Sequence, residues 1–183
     1  MVHALQTVIS RSKNPLDQAV LSITQIHAGD AYNVIPGEAV LRGTVRTYTV
    51  EALDKIESDM RRIATTLPQV YGGTGTLDFV RAYPPLVNWE KETAFAAQVA
   101  EDVFGADQVL RDMPPFMGAE DFSFFLEAVP GAYLFLGNGD GEHRMAGHGL
   151  GPCMLHNASY DFNDALIPAG ASYWIRLAQR YLA

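Results

Sequence analysis

The sequence predicts an α+β half followed by an α/β half. Three observations carry this. Residues 1–82 run helix, strand, strand, helix, strand; Tyr83-Pro84-Pro85 breaks the pattern; and residues 83–183 alternate helical stretches with short apolar runs. The division predicts one domain over 1–82 and a second over 83–183.

The elements follow in order. Leu5, Val8 and Ile9 make an apolar stripe on a helix over residues 2–13, stopped by Asn14-Pro15. That helix starts almost at Met1 with no cap before it, as if the chain enters mid-element. Residues 18–27 are rich in β-branched and apolar types and read as a strand. The run from His27 to Gly37 carries two glycines and a proline and reads as a turn-bearing loop. Residues 39–48 place Ala39, Leu41, Gly43 and Val45 on one face and Arg42, Thr44 and Arg46 on the other, a half-buried strand of an antiparallel sheet. Thr49 is a suitable N-cap for a helix in which Leu53, Ile56, Met60, Ile63 and Leu67 recur at helical spacing, with acids early, Arg61-Arg62 late and Pro68 at the end. Residues 74–82 alternate again and predict a third strand. One more strand ahead of the first helix would complete a ferredoxin-like βαββαβ unit, so the pattern predicts such a unit with its first strand missing.

Beyond the break, a helix is expected at about 90–104, with Phe95, Val99 and Val103 inward and Gly105 closing it. Short strands are expected at Val109-Leu110 and from Tyr133 to Leu136, and a short helix over 119–128. Phe122, Phe124 and Phe125 read most simply as core. Residues 137–155 hold six glycines and read as a long loop, of the kind that often carries function. A last helix over 168–182 is expected to bury Ala171, Trp174, Ile175 and Tyr181.

Composition narrows the functions. The 183 residues are 48% hydrophobic and 19% charged, which suits a folded chain with a real core. The net charge of −8 and the single adjacent basic pair, Arg61-Arg62, argue against nucleic acid. No stretch is apolar for long enough to span a membrane, and no secretory leader is visible at Met1. One cysteine, Cys153, rules out an intramolecular disulfide and fits a reducing compartment, so a cytoplasmic location is expected.

His143, His148, Cys153 and His156 cluster in the second half. Imidazole and thiolate are the usual zinc ligands, so one reading is a small self-contained zinc site, although only Cys153 and His156 offer a short paired spacing. More informative are three ordered segments: Tyr32-Asn33-Val34-Ile35-Pro36, then Met117-Gly118-Ala119-Glu120-Asp121-Phe122, then Leu155-His156-Asn157-Ala158-Ser159-Tyr160-Asp161-Phe162-Asn163-Asp164. On these the chain resembles the C-terminal part of the hippurate hydrolase and aminoacylase-type amidohydrolases, in the metallopeptidase group that includes carboxypeptidase G.

The resemblance implies a two-zinc α/β catalytic domain interrupted by a βαββαβ lid or dimerisation domain. Residues 1–82 would be most of the lid and 83–183 the last portion of the catalytic domain. It implies that His156 is the last ligand of the metal pair, with zinc or another divalent ion as cofactor. It implies that Asn33 helps hold the substrate's carboxylate or carbonyl oxygen, with His27 in the same loop as a second substrate-binding candidate. The implied substrate is a small N-acyl amino acid and the implied assembly a homodimer. The family's other ligands, and the Glu-Glu pair that supplies its general base, lie upstream in the family pattern; no Glu-Glu pair occurs in this sequence. One ligand without a base is no hydrolytic site, so the chain by itself is expected to be inactive.

Simpler readings stand beside these. Asn33 suits a turn held by side-chain-to-backbone bonds. His27 suits a strand end facing solvent. Glu120 and Asp121 suit the charged start of a helix, and Cys153 an ordinary small side chain. As a whole, the chain could also be a non-catalytic binding module that dimerises along a sheet edge.

Overall fold

The computed structural model describes residues 1–139, 141–144 and 155–183. The chain divides into two compact units. Unit 1 comprises Met1–Leu86 and Pro115–Phe124; unit 2 comprises Val87–Pro114 and Phe125–Ala183.

Unit 1 begins with helix α1 (Val2–Thr7), which widens into a π-helical turn over Val8–Ser12, where the Lys13 N–H reaches the Val8 carbonyl at 3.2 Å. Strands β1 (Ala19–His27) and β2 (Val40–Thr47) form an antiparallel pair. Leu21 lies opposite Val45 and Ile23 opposite Gly43; Thr24 is then an extra residue, and Ile26 lies opposite Leu41. The bulge keeps Leu21, Ile23 and Ile26 on the face of Leu41, Gly43 and Val45, although Ile26 is out of phase with the other two in sequence. Gly43 is required by close approach, since a Cβ there would lie 2.1 Å from the Ser22 carbonyl oxygen.

Helix α2 (Val50–Thr66) starts where Thr49 predicts: its hydroxyl accepts from the Ala52 N–H at 3.2 Å. The helix buries Ala52, Ile56, Met60 and Ala64 and runs on into a 3-10 turn over Leu67–Tyr71. Leu5, Val8, Leu21, Ile56 and Met60 form the core, with Leu77 and Phe79 packed against it. Asp59 is also buried on α2. Burial raises its pKa, but hydrogen bonds from Lys55 and Arg62 outweigh this and hold the carboxyl below its usual 3.8.

The expected third strand over 74–82 does not form. Its side chains do alternate, with Gly75, Leu77 and Phe79 partly buried and the residues between them exposed. A strand is defined by a ladder, however, and the described sheet has only two members. The segment is tied to α2 through side chains instead: Arg61 donates to the Leu77 carbonyl, and Arg81 pairs with Asp54 and Glu57.

Unit 2 is built on helix α3 (Glu90–Phe104) and helix α5 (Ile167–Tyr181). Val99, Ala100 and Tyr173 are its buried centre, flanked by Phe95, Val103 and Leu177. Tyr173 stacks on Phe104 with ring centroids 6.2 Å apart and donates its hydroxyl to the Ala96 carbonyl at 3.2 Å. Trp89 adds two bonds, from its N–H to the Gly131 carbonyl and from its indole N–H to the Leu126 carbonyl.

Three expectations for this half need correction. Val109-Leu110 and Tyr133–Leu136 are not strands, and Phe135 and Leu136 are exposed; neither run has a described neighbouring strand to pair with. Helix α5 buries Tyr173 rather than Ala171, Trp174, Ile175 and Tyr181. It carries two apolar stripes, and α3 meets the one through Tyr173 and Leu177. In the short helix α4 (Phe122–Ala128), Ser123 and Leu126 are buried, whereas Phe124 and Phe125 are exposed. No described helix is long and apolar enough to cross a membrane.

Candidate functional site

His156 lies in a turn, exposed, with φ of +66°; it is the one described non-glycine residue with a positive φ. That conformation costs a residue with a Cβ about 1–2 kcal/mol and persists where the surroundings enforce it. The next residues supply local enforcement. Asn157 accepts the Ser159 N–H through Oδ1 at 2.8 Å and the Tyr160 N–H through its carbonyl at 3.0 Å, and the rings of Tyr160 and Phe162 meet edge to face at 4.9 Å. Asn138 then brackets the backbone of Asp161 and Asn163. The His143 Nε2 lies 3.1 Å from the Asp161 carbonyl, a contact that requires its proton on Nε2. Asn163 starts the approach to α5 by accepting the Ala165 N–H.

Asn33 lies in the connection between β1 and β2, where every residue from 28 to 39 is exposed. The turn around it is closed by the backbone, Val34 N–H to Ala31 carbonyl at 3.3 Å. Among the described residues no side-chain hydrogen bond from Asn33 supports that turn, so its carboxamide is open to solvent. His27 ends β1 opposite Val40, on the face away from Leu41, with Nε2 3.4 Å from the Gln25 Oε1. His27 and Asn33 therefore share one connection of unit 1, while His156 belongs to unit 2. Glu120 starts α4: its Oε1 accepts the Phe122 N–H and its carbonyl accepts the Ser123 hydroxyl.

A catalytic metal needs about three protein donors. Among the described residues no group of three His, Cys, Asp or Glu side chains could hold an ion. His156 fits as one donor, and the described set does not fit a metal by itself. The alternative zinc cluster depends on His148 and Cys153, which lie outside the described residues. Sequence reasoning passed over Asn138, whose only local signal is its position between Gly137 and Gly139.

The sequence pattern of peptidase family M20/M25/M40 matches residues 4–180. The chain belongs to this family. Its curated M20 relatives include the hippurate hydrolase of Campylobacter jejuni (33% identical, covering 100% of this chain and 45% of the relative). An IAA-amino acid hydrolase of Arabidopsis thaliana is 30% identical, covering 100% and 41%. The N-acetyl-L-cysteine deacetylase of Bacillus subtilis is 32% identical, covering 100% and 40%. The M20 chain thus spans less than half the length of these relatives.

Two solved structures are similar. A candidate aminohydrolase from methicillin-resistant Staphylococcus aureus superposes with a TM-score of 0.75 at 25% identity, over 100% of this chain and 45% of that one. A dinuclear metal-binding peptidase of the M20 family from Bacillus subtilis superposes at 0.68 and 28% identity, over 97% and 44%. The mixed α/β architecture with a small antiparallel sheet is therefore that of M20 proteins, and the resemblance carried by the three motifs is a family relationship.

Proposed function

We propose that this M20 chain is the C-terminal part of an amidohydrolase that cleaves the amide bond of N-acyl amino acids. The observation that supports the reading is the match, over the whole of this chain and 40–45% of each relative, to three hydrolases whose names share an amino acid joined to an acyl group. Residues 1–82 then serve as lid and dimerisation domain and 83–183 as the closing portion of the catalytic domain. The whole enzyme is a cytoplasmic homodimer acting on a small molecule, with no nucleic-acid or membrane partner.

His156 contributes one imidazole to a site for zinc or another divalent ion, a role supported by its exposed, conformationally constrained turn and by the metal named for a solved neighbour. Asn33 offers its carboxamide N–H to the substrate's carbonyl or carboxylate oxygen, and its open side chain in an exposed loop supports that role. His27, on the same connection, is the second substrate-facing candidate. That no three donors gather among the described residues, and that the sequence holds no Glu-Glu pair, support the reading that the chain by itself is inactive.

The test is hydrolysis of N-acetyl and N-benzoyl amino acids by the purified chain with added zinc, beside a full-length relative. No turnover is expected from the chain; strong turnover would overturn its incompleteness. A chimaera in which this chain replaces the matching part of the hippurate hydrolase is expected to cleave N-acyl amino acids, and His156→Ala to abolish that activity. A fully active His156→Ala chimaera would remove the ligand role.

A second reading rests on a different observation. Among the described residues both β1 and β2 keep an unpaired outer edge, and Val20, Ile26 and Val40 on them are exposed. A chain of this kind suits a dimerisation or binding module. Light scattering that found only monomer would count against it.

A further inference from the structure

Asn138 reaches the backbone far along the chain from itself. Its Nδ2 donates to the Asp161 carbonyl at 2.9 Å, and its Oδ1 accepts the Asn163 N–H at 3.0 Å. Asn163 returns the contact, its Nδ2 lying 3.5 Å from the Asn138 carbonyl. A carboxamide presents a donor and an acceptor much as a peptide group does, so this side chain stands in for one rung of a strand ladder. The neighbouring Gly139 belongs to the arrangement: it sits at φ +80°, and a Cβ there would come within 3.2 Å of the Asn163 Nδ2.

The bracketed residues follow directly on the hydrogen-bonded turn after His156. From Asn157 to Tyr160 that turn is closed by two bonds to Asn157. Its downstream end would be loose if Asp161 and Asn163 were loose. A residue with a side chain stays at positive φ only where its neighbours over-determine it, and His156 does so at +66°.

We propose that Asn138 is the positioning residue for the turn that carries His156. By holding Asp161 and Asn163 it keeps His156 in the left-handed conformation and so fixes the direction in which the imidazole is offered. The functional weight of this rests on the reading of His156 as a working imidazole.

The test is NMR of the whole 183-residue chain as wild type, Asn138→Ala, Asn138→Asp and Gly139→Ala. At positive φ the amide and Hα protons of one residue lie close together, so wild-type His156 is expected to show a strong intraresidue cross-peak between them. Asn138→Ala is expected to lose that cross-peak and to raise amide exchange at Ser159 and Tyr160 as well as at Asn163, while α3 and α5 amides keep their protection. Asn138→Asp keeps the acceptor for Asn163 and lacks the donor to Asp161, so it is expected to weaken the cross-peak partly. Gly139→Ala is expected to act as Asn138→Ala does.

An Asn138→Ala chain whose exchange rises only at Asn163, with the His156 cross-peak intact, overturns the proposal. Should Asn138→Ala unfold altogether, an unchanged cross-peak in Asn138→Asp overturns it equally. None of these readouts involves metal or substrate. An active His156→Ala chimaera would therefore sink the ligand role and leave the positioning result standing.

Discussion

Asn88 and Tyr133 exchange two hydrogen bonds: Asn88 Nδ2 donates to the Tyr133 carbonyl at 2.8 Å, and the Tyr133 N–H donates to Asn88 Oδ1 at 2.7 Å. Tyr133 opens the run that failed to form a strand, and the carboxamide satisfies the backbone groups that a neighbouring strand would have satisfied. Asn88→Ala leaves both groups partly buried and without these partners, at a cost of about 1–3 kcal/mol. Urea denaturation of the chain should show it as a lower midpoint. An unchanged midpoint would mean that solvent replaces the bracket freely.

Thr49→Ala removes the acceptor for the Ala52 N–H at the start of α2. It should destabilise unit 1 by about 1 kcal/mol, with Thr49→Ser close to wild type because the hydroxyl is what caps. Equal losses in the two variants would point to the methyl group instead.

Glu57 makes the stability of unit 1 depend on pH. The Arg81 hydrogen bond first, and the Arg61 hydrogen bond second, hold its carboxyl below the usual 4.5. A folded-state pKa below the unfolded value favours the charged form in the fold. The contribution is therefore present above the unfolded pKa and is lost as pH falls through the folded one. In Arg81→Ala the folded pKa moves back toward the usual 4.5, so the acid-side loss should be smaller and complete at a higher pH than in wild type. The difference should shrink in high salt, since Arg61 and Arg81 are exposed and Glu57 is only partly buried. Superimposable acid profiles for the two proteins would refute this.

Ile56 and Ile26 separate core from surface. Ile56 is fully buried and Ile26 is 61% exposed. Ile56→Ala should cost about 2–5 kcal/mol, with an upper end set by how little the cavity collapses. Ile26→Ala should fall within about 0.5 kcal/mol of wild type. A large loss from Ile26→Ala, measured by denaturant melts at several protein concentrations, would mean that a second copy covers it.

The sequence was most legible where structure is local. Helix α2 was readable because Thr49, the spacing of Ile56, Met60 and their neighbours, and Pro68 all act within a turn or two of one another. The β1–β2 pair was readable from alternation, but the extra residue Thr24 was not, because a bulge shows only against its partner strand. Residues 74–82 show the limit: the alternation of Leu77 and Phe79 was there to read, and the missing ladder was not, since pairing depends on what lies alongside. Helix α5 offered two apolar stripes, and nothing in its own residues says that α3 takes Tyr173 instead of Trp174. In the candidate site, His156 was found through a motif; its left-handed backbone and the Asn138 bracket arise from contacts made across the loop and leave no periodic trace.

The bracket also sets how this protein ages. Asn138 is followed by Gly139, and a glycine offers no side chain to hinder attack of its own backbone nitrogen on the carboxamide before it. Ring closure there expels ammonia, and reopening leaves aspartate or isoaspartate, neither of which can donate to the Asp161 carbonyl. The hydrogen bonds that hold the carboxamide in place also hold it back from that attack, so intact protein should deamidate slowly at Asn138. Loss of the bonds to the Asp161 carbonyl and from the Asn163 N–H, by contrast, should speed it. Peptide mapping of the stored wild-type chain, folded and in denaturant, would read this directly, and equal rates in the two would show that the fold gives Asn138 no protection with time.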